Sequence, residues 1–356
     1  MTRIDDVARL AGVSTATVSR ALRGLPTVSA ATRRRVLAAA EQLQYAVSPS
    51  ASRLAGGKTG TVAIVVPRIT RWFFGTVVEA VEDFLHRYGY DLLLYNLGGR
   101  EQTRRRVLRT ANLDKRVDAI ILVATPLRPA DVAALTRLAL PGVTISSGSG
   151  VPGWPRVRID DVAAGRAATR HLLDLGHTRI AHISGDPDDE LAFTTHLDRR
   201  RGYHEALRAA GIRPDPSLDV ESQFTIDGGI RATTELLTRG EPPTAIFAAC
   251  DEMAMGAMSA LRDAGLRVPH DVSVIGIDDH DLAGVLGLST VAQPAAEQGL
   301  LAARILLDPL GVRAADPYPG LVPYGADTDA DEGSPRSVIL PTRLVVREST
   351  APPRAN

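Results

Sequence analysis

Few residue patterns in this chain have the types and spacing that covalent catalysis needs. The sequence contains no G-x-S-x-G, H-E-x-x-H or paired-cysteine motif, and its single cysteine is Cys250. The run GGKTG at 56–60 is similar to the end of a phosphate-binding loop, but that loop needs a glycine where Ser52 stands and a strand before it. The run IDDHD at 277–281 holds possible metal ligands, yet neighbouring residues of a strand point to opposite faces. We therefore expect a protein that is not an enzyme and holds neither metal nor cofactor.

Residues 4–22 have the spacing of a DNA-reading motif. Apolar residues recur at helical spacing from Ile4 to Ala11, Gly12 supplies a turn that a side chain would hinder, and Ser14 can cap a second helix. A purely structural helical hairpin has the same pattern, so the spacing alone leaves both interpretations open.

Charge separates the beginning of the chain from the rest. The whole chain has 41 basic and 41 acidic residues, yet residues 1–60 hold nine Lys or Arg against three Asp or Glu, a balance of +6. A small basic segment joined to an acidic body suggests a polyanionic partner for that segment, although a solvated basic face has the same composition, which alone leaves both interpretations open. A third helical pattern, which Ser29 can cap and which ends near Tyr45, completes a three-helix unit. Together these features favour DNA binding.

The rest of the chain has an α/β pattern. From Thr61, short apolar runs alternate with amphipathic helical segments in two successive series, which predicts two lobes of parallel sheet with helices on both faces. The predicted fold is a small all-α helix-turn-helix headpiece followed by a two-lobed α/β core. Residues 308–335 hold five prolines and six acidic residues, which indicates an insertion.

These patterns give the following boundaries. The predicted segments are a headpiece at 1–46, a hinge linker at 47–60, a core at 61–348, an insertion at 308–335 and a tail at 349–356. Within the core, the N-lobe is expected at 61–159 and 291–307, and the C-lobe at 160–290 and 336–348.

The chain lacks the usual signals for export. Its beginning, MTRIDDVARLAGVS, contains acidic residues and lacks the apolar stretch of a signal peptide, and the apolar runs of the chain are strand-length. One cysteine cannot form an intrachain disulfide, which fits a reducing compartment. We expect a cytoplasmic protein with no membrane partner.

Several motifs in order resemble one known family. Residues 4–22, IDDVARLAGVSTATVSRAL, resemble the headpiece of the LacI-type (lactose repressor) family, whose pattern is roughly DVAxxAGVSxxTVSRxLN. The resemblance continues through GTVAIVVP, VPHDVSVIGIDD and LPTRLVVREST, and covers nearly the whole chain except 308–335. It implies a transcription regulator, most often a repressor, with a periplasmic-binding-protein-like core. It also implies a homodimer on near-palindromic double-stranded operator DNA, controlled by a small-molecule effector.

The resemblance implies roles for residues of the second helix. Thr15, Ala16 and Arg20 align with base-reading residues, and Arg20 can donate two hydrogen bonds to a guanine edge, worth about 1–3 kcal/mol of discrimination. The remaining expected DNA-contacting residues are polar residues that meet phosphate or cap the helix, and two hinge residues: Ser14, Thr17, Ser19, Leu54 and Ala55.

The hinge departs from the family pattern. Leu54 aligns with a residue that wedges into the minor groove at the operator centre, although without the resemblance it is an ordinary linker leucine. Val47 stands where the family usually has proline, and the proline is at Pro49. We therefore expect the hinge helix to begin later or to form less readily.

The effector cleft is also assigned by the resemblance. Arg199 aligns with a ligand-gripping arginine and Asp278 with a ligand-binding acid, a pair that suits a sugar or another polyhydroxylated ligand. The other expected cleft residues are mostly aromatic or small: Trp72, Phe73, Phe74, Ser146, Phe193, Thr195, Phe224 and Cys250. For the first three aromatic residues, membership of the hydrophobic core is the alternative.

Two other classes of function stay open at this point. A binding protein for sugar transport or chemotaxis would share the same core, but it would lack the DNA-reading headpiece. An enzyme is the third possibility, against which the absence of a catalytic constellation counts. A ligand-responsive repressor accounts for both parts of the sequence.

Overall fold

The computed structural model describes residues 3–22, 26–45, 58–109, 113–147, 150–186, 194–312 and 337–354. It divides into two compact units, one of Met1–Gly60 with Lys115–Asp118 and one of the remaining chain. The expected site residues Leu54, Ala55 and Phe193 lie outside the described residues, as do most of the hinge linker and positions 313–335 of the expected insertion.

Three short helices form the described part of the headpiece, residues 3–22 and 26–45. They are α1 (Ile4–Ala11), α2 (Thr15–Leu22) and α3 (Ala30–Gln42). The side chain of Ser29 caps α3 by accepting a hydrogen bond from the N–H of Thr32 at 3.2 Å, as the sequence predicts. One valine from each helix is fully buried in a shared core: Val7, Val18 and Val36.

The second unit alternates strands and helices along the chain. In order its elements are β1 (Thr61–Val66), α4 (Trp72–Arg87), β2 (Asp91–Asn96), α5 (Glu101–Val107), β3 (Ala119–Val123), α6 (Pro129–Leu138), β4 (Gly142–Ile145), β5 (Arg156–Ile159), α7 (Asp161–Asp174), β6 (Ile180–Gly185), α8 (Thr195–Ala209), β7 (Asp219–Ser222), α9 (Ile226–Thr238), β8 (Ala245–Ala248), α10 (Asp251–Asp263), β9 (Ser273–Asp278), β10 (Ser289–Ala292), α11 (Ala295–Leu307), β11 (Ser337–Leu340) and β12 (Arg343–Val345). A 3-10 turn at Pro216–Leu218 precedes β7.

Within the described ranges, the strands form two six-stranded sheets, one in each lobe. The first has the order β11-β5-β4-β3-β1-β2 and is parallel throughout. The second has the order β12-β10-β9-β8-β6-β7, and only β12 runs antiparallel to its neighbour. Central strands such as β3 are buried along their whole length, because helices cover both faces of a parallel sheet. The predicted fold class is confirmed.

The described chain passes between the lobes at three places. These are the connections from β5 to α7, from β10 to α11 and from β11 to β12. The expected C-lobe segment 336–348 is therefore divided, because Ser337–Leu340 pairs with β5 in the first sheet and only β12 joins the second. Val291, expected in the N-lobe, pairs with Ile277 in the second sheet. A short apolar run does not reveal which of two similar sheets it joins.

The expected tail is built into the second lobe. Ser349 is 2% exposed, its carbonyl accepts from the N–H of Val274 at 2.8 Å, and its hydroxyl donates to the carbonyl of Val274 at 2.6 Å. The N–H of Ala351 donates to the hydroxyl of Ser273 at 3.0 Å. Because β10 begins its pairing only at Ile275, this segment occupies the place beside the first residues of β9. No helix in the described ranges is long and apolar enough to cross a membrane.

Candidate functional site

The turn of the headpiece is fixed by backbone conformation and one cap. Gly12 has φ 64°, a left-handed conformation that favours glycine, and the N–H of Val13 donates to the carbonyl of Ala8 at 3.0 Å. The hydroxyl of Ser14 accepts from the N–H of Thr17 at 3.2 Å. Ser14 is thus the cap of α2, one of the two roles that the sequence suggested for it.

Helix α2 has one buried and one exposed face. Val18 and Ala21 are 0% and 2% exposed and pack into the headpiece core. Thr15, Ala16 and Arg20 are exposed, whereas Ser19 and Thr17 are half-buried. The three residues assigned to base reading therefore share the accessible surface of the helix, the arrangement that major-groove recognition requires.

A cavity of about 420 Å³ lies at the carboxyl ends of the strands of both sheets. Open α/β sheets bind ligands at this edge, and the volume is in the range of small-molecule sites. Eight of the expected cleft residues line it, from both lobes: Phe73, Phe74, Ser146, Thr195, Arg199, Phe224, Cys250 and Asp278.

Trp72 does not line this cavity. Its ring lies 5.4 Å from the imidazole of His280, centroid to centroid, and so connects α4 of the first lobe with the loop after β9. Successive residues of a helix point about 100° apart, so three consecutive aromatic residues cannot all face one wall. The structure therefore does not place Trp72 in the ligand wall, where the sequence predicted it.

The cavity also has walls that the sequence analysis did not assign. The additional lining residues are mostly polar and follow strand ends: Pro67, Arg68, Arg71, Ala124, Asp186, His196, Gln223, Thr225, Glu252 and Gln293. Asp186 comes directly after β6, and Arg68 is the second residue after β1. The rule that ligands bind beyond the carboxyl ends of strands would have identified such positions.

Arg199 is a buried cation held by carboxylates and a carbonyl. It is 4% exposed, its Nε donates to Oδ1 of Asp161 at 2.9 Å, and its Nη1 lies 3.9 Å from Oδ1 of Asp278. Nη1 also donates to the carbonyl of Ala249. Burial is the largest single influence and disfavours the charge, but Asp161 and Asp278 together outweigh it and raise the pKa of Arg199. The guanidinium is therefore charged and fixed in the cavity wall.

Two glycines determine where Arg199 stands. A Cβ on Gly165 of α7 would lie 2.2 Å from the carbonyl oxygen of Arg199, and a Cβ on Gly202 of α8 would lie 2.1 Å from that of Val162. Helices α7 and α8 thus pack backbone against backbone. Only glycine permits this approach, which brings Arg199 to the start of α7 beside Asp161.

Asp278 is a buried acid at the end of β9. It is 6% exposed, and burial raises its pKa to about 8, with Arg199 opposing this shift and the charge of Asp251 adding to it. Its Oδ1 accepts from Nε2 of Gln293 at 2.6 Å. Burial also raises the pKa of the neighbouring Cys250 thiol, which is therefore neutral and unreactive.

The backbone of the cavity is strained at three lining positions. Ala124, Ser146 and Asp278 have φ values of 41°, 48° and 142°, a region that residues with a side chain rarely adopt. Each stands at or directly after the carboxyl end of a strand. Strain of this kind persists where the surrounding structure enforces it and clusters at ligand sites.

The two walls of the cavity also touch through charged groups. Nη1 of Arg71, at the start of α4, lies 3.6 Å from Oε1 of Glu252 in α10. Burial raises the pKa of Glu252, and Arg71 opposes that shift. This ion pair and the contact between Trp72 and His280 both join the first lobe to the second.

The acidic run at 277–281 does not converge on one point. Oδ1 of Asp279 accepts from Nη2 of Arg347 at 2.6 Å, whereas Asp278 faces Gln293 and Arg199. Within the part of the chain that the structure describes, no group of three or more His, Cys, Asp or Glu residues could hold a metal ion.

A helix-turn-helix unit joined to a two-lobed core with a cavity between its sheets defines a DNA-binding transcription regulator. Residues 3–48 match the family described as bacterial regulatory proteins, lacI family, and residues 169–350 match the periplasmic binding protein-like domain. Catabolite control protein A of Priestia megaterium is 36% identical, over 85% of this chain and 91% of that protein. The chain belongs to the LacI family of transcription regulators.

Solved structures agree with this assignment. A transcriptional regulator CelR–cellobiose complex is 32% identical with a TM-score of 0.68, covering 98% of this chain and 100% of that one. The lac repressor dimer bound to operator and the anti-inducer ONPF is 26% identical with a TM-score of 0.80, covering 98% of this chain and 99% of that one. The two-lobed fold with its N-terminal reading unit is common to all three.

Proposed function

We propose that this regulator is a cytoplasmic repressor whose operator affinity is controlled by a small polyhydroxylated molecule bound in the cavity. The observation that carries the proposal is the convergence of buried Arg199 and Asp278 in a cavity of about 420 Å³. A guanidinium donates in a fixed fork, and a carboxyl group accepts from hydroxyls, so the pair can hold a ligand that carries both kinds of oxygen.

Aromatic residues complement this polar pair. Phe73 and Phe74 from α4 and Phe224 after β7 line the cavity on opposite lobes. Apolar faces combined with a few placed polar groups are typical of small-molecule sites. The similar CelR structure contains cellobiose, which supports a sugar as the class of ligand to test first.

The headpiece supports binding to the major groove of DNA. Thr15, Ala16 and Arg20 are exposed on one face of α2, and residues 1–60 carry a balance of +6. Arg20 is proposed to read a guanine edge. Ser14, Thr17 and Ser19 are proposed to support the helix or meet phosphate, and Leu54 with Ala55 to contact the minor groove.

We also propose that the protein binds as a homodimer to a near-palindromic operator. The loop after β9 exposes three apolar side chains, Leu282, Val285 and Leu286, at 49%, 83% and 44%. A group of exposed aliphatic residues of this kind marks an association surface. The lac repressor structure is described as a dimer on its operator, and a two-fold dimer reads a two-fold DNA sequence.

One experiment tests operator binding and effector binding together. Full-length protein is titrated into labelled DNA from the promoter region beside its own gene, with and without cellobiose, ribose and related sugars, while the thermal midpoint is recorded for each sugar. An effector is expected to raise the midpoint by mass action and to change the affinity for this DNA. No shift with any sugar would contradict the ligand class.

Variants locate the response in the cavity. Arg199→Ala is expected to bind operator but to lose the response to the effector. Arg208→Ala, an exposed arginine of the same helix, is the matched control and is expected to respond like the unmodified protein. Unchanged ligand affinity in Arg199→Ala would mean that the effector binds elsewhere.

A further inference from the structure

Four polar side chains form a continuous series of hydrogen bonds from one lobe to the other. The hydroxyl of Ser146 donates to Oε1 of Gln298 at 2.9 Å, and Nε2 of Gln298 donates to Oε1 of Gln293 at 3.2 Å. Nε2 of Gln293 in turn donates to Oδ1 of Asp278 at 2.6 Å. We call Ser146, Gln298, Gln293 and Asp278 the cross-lobe relay.

The two ends of the relay belong to different walls of the cavity. Ser146 follows β4 of the first lobe, and Asp278 ends β9 of the second. Gln298 lies on α11, which packs on the first sheet, and Gln293 lies in the connection between the lobes. Ser146, Gln293 and Asp278 line the cavity, whereas Gln298 is 0% exposed and does not.

The Asp278 end of the relay determines which group of each glutamine amide donates and which accepts. Nη1 of Arg199 also faces Oδ1 of Asp278, at 3.9 Å, and a cation at this distance disfavours a proton on that oxygen. Oδ1 is therefore an acceptor, and a proton that Asp278 carries because of its raised pKa lies on Oδ2. Gln293 must then turn its NH₂ group toward Asp278 and its carbonyl toward Gln298. Gln298 must then turn its NH₂ group toward Gln293 and its carbonyl toward Ser146.

This direction determines what kind of ligand group Ser146 can bind. A serine hydroxyl can donate one hydrogen bond. Ser146 donates it to Gln298, so only its lone pairs are available to a ligand. The acceptor character of a first-lobe residue is thus determined by Arg199 and Asp278 in the second lobe. Buried amides keep this arrangement, because a reversed Gln293 would face a like group at both ends and a reversed Gln298 would face one at Gln293.

We propose that Gln293 and Gln298 are positioning residues that make Ser146 an acceptor and couple it across the lobes to Asp278. This inference rests on the proposed function for the class of effector. The effector then belongs to the ligands that present an O–H or N–H donor to the first lobe, as a free sugar hydroxyl does. An ether or fluorine at the same position is rejected.

The first test needs no ligand. The thermal midpoint of the full chain is measured for Ser146→Ala, Asp278→Ala and their combination, each in the original and in a Gln298→Leu background. The relay predicts that the two end substitutions are non-additive by about 1–4 °C in the original background and additive in the Gln298→Leu background. Additivity in the original background, or equal non-additivity in both, would overturn the relay.

The second test measures ligand polarity. A sugar from the panel that binds is compared with its O-methyl and deoxyfluoro analogues, which accept but do not donate, at each hydroxyl in turn. At one position these analogues are expected to bind at least about tenfold more weakly to the unmodified protein. In Gln298→Leu the loss of affinity at that position should fall below about threefold, because the Ser146 hydroxyl is then able to donate to the analogue. Leu301→Met, on the same helix outside the relay, should keep the full penalty.

The outcomes separate this inference from the proposed function. An unchanged penalty in Gln298→Leu contradicts the relay while leaving the sugar effector in place. If no sugar binds but the midpoints are non-additive as described, the proposed ligand class is wrong and the coupling between the lobes stands.

Discussion

Replacing Gly165 with alanine tests how the structure places Arg199. A Cβ there would lie 2.2 Å from the carbonyl oxygen of Arg199 and 2.9 Å from its Cα, so α7 and α8 must separate by about 1.2 Å to restore an ordinary contact of 3.4 Å. Both obstructing atoms belong to the backbone, so no side chain can rotate away. The strain must be relieved by moving the helix that carries Arg199.

The expected loss of stability follows from two opposed effects. Overpacking in a well-packed region costs about 1–3 kcal/mol, and occasionally more. Alanine recovers about 1 kcal/mol relative to glycine within a helix. Because backbone atoms cannot rotate away, the overpacking cost lies at the upper end of this range, about 3 kcal/mol. The net loss is then about 2 kcal/mol, which for a unit of this size lowers the thermal midpoint by about 4 °C.

Gly75→Ala is the matched control, because it is also a glycine inside a helix. A Cβ at Gly75 would meet only the carbonyl oxygen of Ile69, at an ordinary 3.7 Å. That variant should be unchanged or more stable by up to about 1 kcal/mol. The assay is a thermal melt of both full-length variants, followed by operator binding with and without effector. We expect Gly165→Ala to keep operator affinity and lose effector response; equal midpoints for the two variants would refute the packing argument.

Three further predictions concern single side chains. First, burial raises the pKa of Asp278 from 3.8 to about 8, so the stability it contributes is complete below about pH 4 and is lost as the pH rises through 8. Melts across this range should show a flatter profile for Asp278→Asn, and parallel profiles would contradict the assignment. Second, Arg104 is 2% exposed and pairs with Glu101 and Asp131, so Arg104→Met should lose about 3 kcal/mol in urea unfolding. Arg105→Met, 62% exposed, should lose less than about 1 kcal/mol, and similar losses would mean that the buried pair is no more important than the exposed one. Third, Arg20→Ala should weaken operator binding by about 1–3 kcal/mol relative to scrambled DNA at one salt concentration; an equal loss on both DNAs would mean a phosphate contact only.

The sequence was most informative where local periodicity decides structure. The helix caps and the turn at Gly12 predicted the headpiece, and alternating apolar runs predicted two parallel sheets, because both signals lie within a few residues. Local periodicity does not reveal which strand a given strand pairs with. Ser337–Leu340 joins the first sheet and Arg343–Val345 the second, a division that only tertiary pairing reveals.

At the candidate site, too, contacts between residues that are distant in sequence could not be predicted. The resemblance identified Arg199 and Asp278, and the structure brings them together, although their role in effector binding stays a prediction. Gln298 gave no signal, because a lone glutamine on an amphipathic helix has no motif and its partner Ser146 is distant in sequence. Whether Trp72 faced the ligand or the other lobe depended on the direction of one side chain at the start of α4.

The last strands are divided between the two lobes, and this division affects how the protein folds during synthesis. The segment 337–351 supplies β11 to the first sheet, β12 to the second, and the hydrogen bonds of Ser349 and Ala351 to β9. During synthesis the headpiece can fold early, whereas one side of β5 and one side of β10 stay unpaired until this segment emerges. An open edge is a template for pairing with another chain. A truncated product would therefore be incomplete in both lobes at once, with a folded DNA-reading unit attached to two aggregation-prone sheets.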